Sequence, residues 1–288
     1  MAVVLLLETS PLAFTLTCLV LGLLVGSFLN VVIHRLPIML EREWQAEYAR
    51  FGGTPPPTEK YNLVVPRSRC PHCGHLITAL ENIPLLSYAV LRGRCSACKA
   101  PISPRYVLVE AASGLLSAWT AWHFGFGWAA VGGLLLSWGL LAMSVIDLEK
   151  QLLPDRLTLP LLWLGLIFNL GQVFTDLPSA VIGAAAGYLS LWAVYHLFRL
   201  ATGKEGMGYG DFKLLALIGA WFGWQRLPTV VILAAGVGAV VGLALLASKR
   251  LKQGVPMPFG PFLAAAGLIV LYWGEPITDA YLSFTGVR

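Results

Sequence analysis

Residues 11–33 read PLAFTLTCLVLGLLVGSFLNVVI and contain no charged side chain. A helix needs about 20 consecutive apolar residues to cross a bilayer core, so this segment is long enough to span a membrane. No positive charge precedes it and no small-residue cleavage site follows it, so we expect a retained first span instead of a removable signal peptide. Of the 288 residues, 57% are hydrophobic and 12% are charged, whereas soluble domains are about one quarter charged. An all-α polytopic membrane protein is therefore predicted.

Eight apolar segments are predicted to be transmembrane helices. The sixth is short, which is tolerated where polar chain enters a protein-lined cavity. Their approximate bounds are 11–33, 106–124, 128–146, 157–174, 179–198, 212–224, 228–247 and 260–274. The predicted domains are a first transmembrane helix at 1–34, a small domain at 35–105 and a membrane domain of about seven helices at 106–288.

The positions of Lys and Arg indicate the orientation, because cytoplasmic loops are enriched in both. Ten of the 20 lie in residues 34–105, and two, three and three more lie in residues 147–156, 199–213 and 248–258. Only Arg226 and Arg288 lie on the other side. This predicts both termini outside and the small domain in the cytoplasm. The net charge of +5 therefore reflects topology, and no nucleic-acid-binding stripe is indicated.

Four of the five cysteines lie in the small domain as two pairs, Cys70-Pro-His-Cys73 and Cys95-Ser-Ala-Cys98, with 21 residues between the pairs. Two residues between ligands let both sulfurs of a pair reach one tetrahedral ion, and two pairs complete the shell. A closed shell leaves no position for water, so we predict a structural zinc site that folds the domain.

Other interpretations of this segment remain open. Two disulfides are the alternative to a metal, although the predicted cytoplasmic location disfavours them. His72 and His75 are alternative ligands, and solvated loop histidines are the better interpretation. Cys18, in the first span, is interpreted as a small buried apolar residue.

Two aspartates lie at span ends, where a charged group in an apolar setting needs an explanation. Asp147 follows the apolar run 138–146, and Asp211 follows Gly208-Tyr-Gly210 directly before the sixth span. The predicted topology places both at the cytoplasmic membrane face. The glycines let the backbone approach a substrate closely, and Asp211 is predicted to cap the next helix.

A pair of neighbouring aspartates suits peptide hydrolysis, because the two carboxyl groups share one proton. One acts as a base on the attacking water, while the other protonates the carbonyl oxygen and later the leaving amine. Either residue alone would be interpreted as a helix cap or as an ion-pair partner of Lys150 or Lys213. Together they predict an aspartic peptidase.

Five further residues are predicted to support this site. Gly208, Gly210 and Lys213 flank Asp211. Asp155 follows Leu-Pro and is an N-cap candidate for the fourth span, with a structural or substrate-orienting role. Glu110 is an acid embedded among apolar residues near the start of the second span.

Several segments, in this order, resemble the type IV prepilin leader peptidases, which share a Gly-x-Gly-Asp motif with intramembrane aspartic proteases. Besides the cysteine pairs, they are GSFLNVVIHRLP (26–37), ENIPLLS (81–87), PRYVLVE (104–110), DLEKQLLPD (147–155), GYGDFK (208–213) and PFGPF (258–262). The resemblance implies that Asp147 and Asp211 are the catalytic pair and that the cysteines bind zinc.

The resemblance also implies the substrate, a type IV prepilin or type II secretion pseudopilin with a short basic leader and an apolar helix. Many members methylate the new N-terminal amine with S-adenosylmethionine, and those commonly carry the cysteine domain. We therefore expect a bifunctional peptidase and N-methyltransferase of the bacterial inner membrane. No residue independently indicates a methyl-donor site.

Two alternatives remain. The first is a peptidase of the same fold without methylation. The second is a transporter or a zinc-regulated membrane scaffold, in which intramembrane acids carry ions. A transporter should have acids near mid-span in corresponding halves, whereas here they cluster at one face.

Overall fold

The computed structural model describes residues 2–54, 59–248 and 257–284. These residues form ten α-helices and no β-strand, apart from two isolated bridges, which confirms the all-α prediction. The chain forms two compact units, residues 1–126 and 127–288. The helices are α1 (Ala2–Thr9), α2 (Pro11–Ala49), α3 (Leu86–Val90), α4 (Pro104–Phe124), α5 (Trp128–Lys150), α6 (Asp155–Leu170), α7 (Leu177–Thr202), α8 (Tyr209–Phe222), α9 (Leu227–Ala247) and α10 (Gly260–Phe284).

Five apolar helices are long enough to cross a membrane, as expected of a multi-pass membrane protein. Among the described residues they are Pro11–Ala49, Trp128–Lys150, Leu177–Thr202, Trp224–Ala247 and Gly260–Ile277. Helices α4, α6 and α8 cover the other three predicted spans but are not among these five, so eight transmembrane helices stay a prediction. The basic residues Lys249, Arg250, Lys252 and Arg288, used for the orientation, lie outside the described residues.

The N-terminal unit is built on the antiparallel pair of α2 and α4. Ser10 caps α2 through its hydroxyl, which accepts the Ala13 N–H, and the helix continues through Pro37 to Ala49. Small residues let the two backbones approach closely. The Ser113 hydroxyl donates to the Gly22 carbonyl at 2.6 Å, and Asn30 reaches the backbone of Tyr106.

Helix α8 is the core of the C-terminal unit. It has only 14 residues, or about 21 Å at 1.5 Å per residue, yet most of its side chains are fully buried. Gly219 packs backbone to backbone against Gly183 of α7. On its other side, the Trp221 indole N–H donates to the Leu161 carbonyl of α6 at 2.9 Å.

Asn169, near the end of α6, secures the C-terminal end of α8. Its amide nitrogen donates to the carbonyls of Ala220 and Trp221, each at 2.9 Å. Its amide oxygen accepts the N–H groups of Phe174 and Thr175 at 3.1 and 3.2 Å. The buried amide is therefore fully bonded, and it holds α8 at the end opposite Asp211.

Candidate active site and metal site

Asp147 lies one turn before the end of α5 and is 6% exposed. Its Oδ2 accepts the backbone N–H of Gly260, the first residue of α10, at 3.1 Å. A helix N-terminus presents free N–H groups and a positive dipole end, which favour a carboxylate. The end of α5 and the start of α10 therefore meet at this aspartate.

Asp211 is the third residue of α8 and is 7% exposed. The N-cap of this helix is Gly208, so the prediction that Asp211 itself is the cap was wrong by three positions. The Asp211 carboxyl group accepts the backbone N–H of Gly208, as the third residue does in a capping box. This hydrogen bond holds Gly208, the N-cap residue, against the first turn of α8.

Both aspartates lie in the C-terminal unit, and the negative charge of Asp147 acts on the Asp211 carboxyl group. Leu153, which is 8% exposed, packs against Gly210, next to Asp211, and against Gly260, whose N–H binds Asp147. A Cβ on Gly210 would lie 2.8 Å from its Cβ, and one on Gly260 would lie 2.5 Å from Asp147 Oδ2. Both positions require glycine for this close approach.

Asp155 and Lys213, predicted as supporting residues, form an ion pair beside this site. The Lys213 ammonium donates to both carboxylate oxygens of Asp155 at 2.7 Å. Asp155 is the first residue of α6 and the N-cap position is Pro154, so the N-cap prediction for Asp155 was wrong. Its carboxylate instead joins the start of α6 to the start of α8.

The four paired cysteines form one cluster in the N-terminal unit. Their sulfur atoms all lie within 4.8 Å of one another. The Sγ atoms of Cys70 and Cys98 are 3.8 Å apart, and those of Cys73 and Cys95 are 4.0 Å apart. Tetrahedral zinc thiolates have sulfurs about 3.8 Å apart, whereas a disulfide has about 2.05 Å. The cluster fits a metal ion and not two disulfides.

Two loops of the same form, residues 70–75 and 95–100, supply these thiols, and we call them the two knuckles. The N–H of Cys70 donates to His75 O, and the N–H of Cys95 donates to Ala100 O, both at 2.9 Å. Backbone N–H groups of Cys98 and Ala97 lower the pKa of the Cys95 thiol to about 6. This favours the thiolate, which is the metal-binding form.

Glu81 ties the two knuckles together. It accepts the Thr78 N–H at 2.8 Å and pairs with His75 at 3.2 Å, both beside the first knuckle. It also accepts the hydroxyl of Ser96 from the second knuckle. Hydrogen bonds from Ser96 and from Thr78 are the main cause that lowers the pKa of Glu81 to about 2.

Glu110 has its contacts within its own N-terminal unit. Its Oε2 accepts the backbone N–H of Leu85 at 2.9 Å, and Ser27 donates a hydrogen bond to its carboxylate. Sequence reasoning singled out Glu110 but gave no partner for it. It also missed the roles of Leu153, Gly260 and Glu81, because their contacts are with residues distant in sequence or in the other knuckle.

Comparisons with known proteins give the following matches. Residues 20–124 match the model of the bacterial peptidase A24 N-terminal domain, and residues 134–243 match that of the type IV leader peptidase family. Each match falls within one compact unit. No solved structure is significantly similar to the chain.

Three similar proteins share the name prepilin leader peptidase/N-methyltransferase. The protein of Stutzerimonas stutzeri is 61% identical over 280 residues, which cover 96% of this chain and 97% of that protein. The protein of Pseudomonas aeruginosa is 58% identical over 284 residues, or 98% of each chain. The protein of Aeromonas hydrophila is 60% identical over 268 residues, or 91% of each chain.

Proposed function

Because this chain belongs to the type IV leader peptidase family, we propose that it cleaves the leader of type IV prepilins or type II secretion pseudopilins and N-methylates the new N-terminus. The observation that carries the peptidase activity is the pair of buried carboxylates, Asp147 and Asp211, whose neighbours Gly260 and Gly210 both pack against Leu153. Neither carboxylate has an ion-pair partner within the described residues, so both are free to exchange protons with a substrate and water.

The proposed cleavage uses the two carboxyl groups in different protonation states. One, as the carboxylate, accepts a proton from the attacking water, and the other, as the acid, protonates the carbonyl oxygen. The Gly260 N–H holds one oxygen of Asp147, and the Gly208 N–H holds the Asp211 group. These backbone bonds orient both groups before a substrate arrives.

We further propose that this site lies at the cytoplasmic face of the bacterial inner membrane, with the N-terminus outside and eight transmembrane helices. Helix α8, at about 21 Å, is shorter than the roughly 30 Å hydrocarbon core. If Asn169 anchors its far end near the outer surface, Asp211 lies below the inner surface, where a protein-lined cavity admits water. A leader that stays in the cytoplasm would meet the aspartates there.

The cysteine cluster is proposed to hold one structural zinc ion through Cys70, Cys73, Cys95 and Cys98, within a cytoplasmic domain at residues 35–105. The sulfur spacing supports this assignment. S-adenosylmethionine is the proposed methyl donor, and lipid and the pilin precursor are the proposed partners. We expect no nucleic-acid partner.

Purified protein incubated with a prepilin and a radiolabelled methyl donor tests the proposal. We expect a shortened pilin that carries label at its new N-terminus. A shortened but unlabelled product would support the alternative of a peptidase without methylation. An intact prepilin would reject the proposed function and favour the transporter or scaffold alternative.

A further inference from the structure

The N-terminal unit contains a set of buried and half-buried polar groups that leader cleavage does not use. Ser27 and Asn30 of α2 and Glu110 of α4 form this set, which we name the Glu110 cluster. Glu110 is 9% exposed and Asn30 is 4% exposed. Gly26 makes room for the cluster, because a Cβ there would lie 2.8 Å from Glu110 Cα.

Among the described residues, the carboxylate of Glu110 has neutral partners. The Leu85 N–H donates to Oε2 at 2.9 Å, and Ser27 donates through its hydroxyl. In the described parts of the chain, no Lys, Arg or His lies within ion-pair distance of it. The buried Arg35 instead donates to the Asn62 carbonyl at 3.0 Å. Buried carboxylates are normally paired with a cation, so this one has unused capacity for a positive group.

Asn30 adds an unsatisfied acceptor to the same helix interface. Its Nδ2 donates to the Tyr106 carbonyl at 2.9 Å, which sets the amide orientation because an oxygen there would face another oxygen. Its Oδ1 is then buried without a hydrogen-bond partner among the described residues. Tyr106 precedes Glu110 by one turn of α4, so the backbone position that Asn30 contacts is one turn from the residue that carries the carboxylate.

The backbone at Leu85 is held in an uncommon conformation beside the cluster. Leu85 has a φ of +59°, which is costly for a bulky side chain. Such strain persists where the surrounding structure enforces it, often at functional sites. Here it accompanies the hydrogen bond from the Leu85 N–H to Glu110.

We propose that the Glu110 cluster binds the α-ammonium group of the cleaved substrate and accepts a proton from it. This inference rests on the proposed function, which supplies the new amino terminus and the methyl donor. A primary ammonium offers three N–H donors and no acceptor. Its charge matches the unpaired carboxylate of Glu110, and its donors match the free lone pairs of that group and of Asn30 Oδ1.

The proton transfer is needed because an ammonium nitrogen has no lone pair. One N–H proton passes to the Glu110 carboxylate, and the free amine then attacks the sulfonium methyl group. A nitrogen–carbon bond forms while the carbon–sulfur bond breaks, and its electron pair stays on sulfur as a neutral thioether. The product is an N-methylammonium. Glu110 returns its proton to water, so each methylation releases one proton.

Peptide binding in the absence of methyl donor tests the site directly. Two synthetic peptides with one mature pilin N-terminal sequence are compared, one with a free amino terminus and one acetylated. The wild-type protein should prefer the free amine, and Glu110→Gln should weaken that binding by about 10- to 100-fold, the scale of a hydrogen bond between charged groups. Glutamine keeps an oxygen for the Leu85 N–H and removes only the charge.

Two further variants control this experiment. Ser113→Ala removes a buried hydrogen bond to Gly22 in the same helix pair and should retain the preference for the free amine. Asn30→Ala removes the orphaned oxygen and should reduce the preference in the same direction as Glu110→Gln but less. It tests the cluster independently if Glu110→Gln does not fold.

Methylation is then scored as the ratio of methylated to cleaved product, so that changes in cleavage divide out. This ratio should fall in Glu110→Gln. An unchanged ratio together with unchanged peptide preference overturns the inference and leaves the proposed function intact. Binding of S-adenosylhomocysteine, the thioether product of the methyl donor, is measured as well. If Glu110→Gln loses this binding and keeps its peptide binding, the inference is overturned, because the cluster would then hold the methyl donor. A wild-type protein that cleaves without methylating defeats the proposed function itself.

Discussion

The cysteine cluster and the aspartate pair are built in opposite ways. Each cysteine knuckle closes through local hydrogen bonds, from Cys70 to His75 and from Cys95 to Ala100. The aspartates instead come from α5 and α8, with two helices between them in the chain, and Leu153 and Gly260 hold them in place. The cysteine cluster is held by its short loops and by the metal ion that we propose it binds. The aspartate site instead depends on the packing of four chain segments. Removing one residue should therefore have different consequences at each site.

The largest expected effect is on leader cleavage in Asp147→Asn and Asp211→Asn. Asparagine has nearly the same shape and its oxygen still accepts the backbone N–H, so the fold and the bound metal should be retained. The asparagine amide does not ionise and so cannot act as the acid or the base. The cleavage rate should therefore fall by about 10²- to 10⁴-fold, the usual contribution of acid–base catalysis. Cleavage is measured with purified protein and prepilin.

Asp176→Asn is the matched control for both variants. Asp176 caps α7 by accepting the Ser179 N–H at 2.9 Å, and asparagine is an equally good cap. This variant should cleave at the wild-type rate. Full cleavage by either active-site variant would contradict the assignment of the pair.

Cys70→Ser should have its main effect on the N-terminal unit. Loss of one thiolate opens the shell, so the content of about one zinc ion per chain should fall towards zero. Amide exchange should then increase in the two knuckles, while the buried amides of α8 stay protected. Metal analysis and hydrogen exchange measure both.

The free thiol Cys18 provides the control for this experiment. It is buried in α2 and is not part of the cluster, so Cys18→Ser should keep its zinc. Unchanged zinc in Cys70→Ser would count against the metal site. Increased exchange throughout α8 would contradict the separation of a local site from a packed one.

The same contrast explains what the sequence made predictable. The spacing within each cysteine pair indicated a metal cluster, because a knuckle is determined by a few neighbouring residues. The apolar runs likewise predicted helices at all eight segments. The meeting of Asp147 with Asp211 depends on the packing of α8 against its neighbours, which no local pattern encodes. Their proximity was therefore expected from the family resemblance and from the shared-proton chemistry that each aspartate would need.

The cap predictions show where local patterns misled. Asp155 and Asp211 were both expected at N-cap positions because each precedes an apolar run. In the structure, Pro154 and Gly208 occupy those positions. The Asp155 carboxylate pairs with Lys213 of α8, and the Asp211 carboxyl group accepts the Gly208 N–H from the third position of its helix. A single sequence does not reveal such partners.

Glu81→Gln should weaken metal binding without abolishing it. The carboxylate bonds to Thr78 and His75 on one side and to Ser96 on the other, so its loss should loosen one knuckle relative to the other. Residues that orient metal ligands typically contribute about 10- to 100-fold in affinity. Because the partners of Glu81 among the described residues are Thr78, His75 and Ser96 and not a cysteine sulfur, we expect the lower end of that range in a chelator competition at neutral pH.

His72→Ala is the control for Glu81→Gln, and it also tests the alternative ligand. His72 is exposed and is not one of the four clustered ligands, so the competition curve should match that of the wild type. Weaker binding in His72→Ala than in Glu81→Gln would show that a histidine takes part in the shell.

Asp155→Asn should give the smallest effect, because the ion pair with Lys213 is partly exposed, with side-chain exposures of 51% and 31%. Exposed pairs contribute about 0 to 1 kcal/mol, or less than about a fivefold change in rate. Asp155 is a positioning residue in this view, since it holds the starts of α6 and α8 together and touches no reacting atom. The kcat for cleavage should fall while KM stays the same, and the exchanged pair Asp155→Lys with Lys213→Asp should restore part of the loss. A rise in KM alone would instead indicate that Asp155 binds the substrate, for example its basic leader. Asp155 would then be a substrate-recognition residue and not a positioning residue.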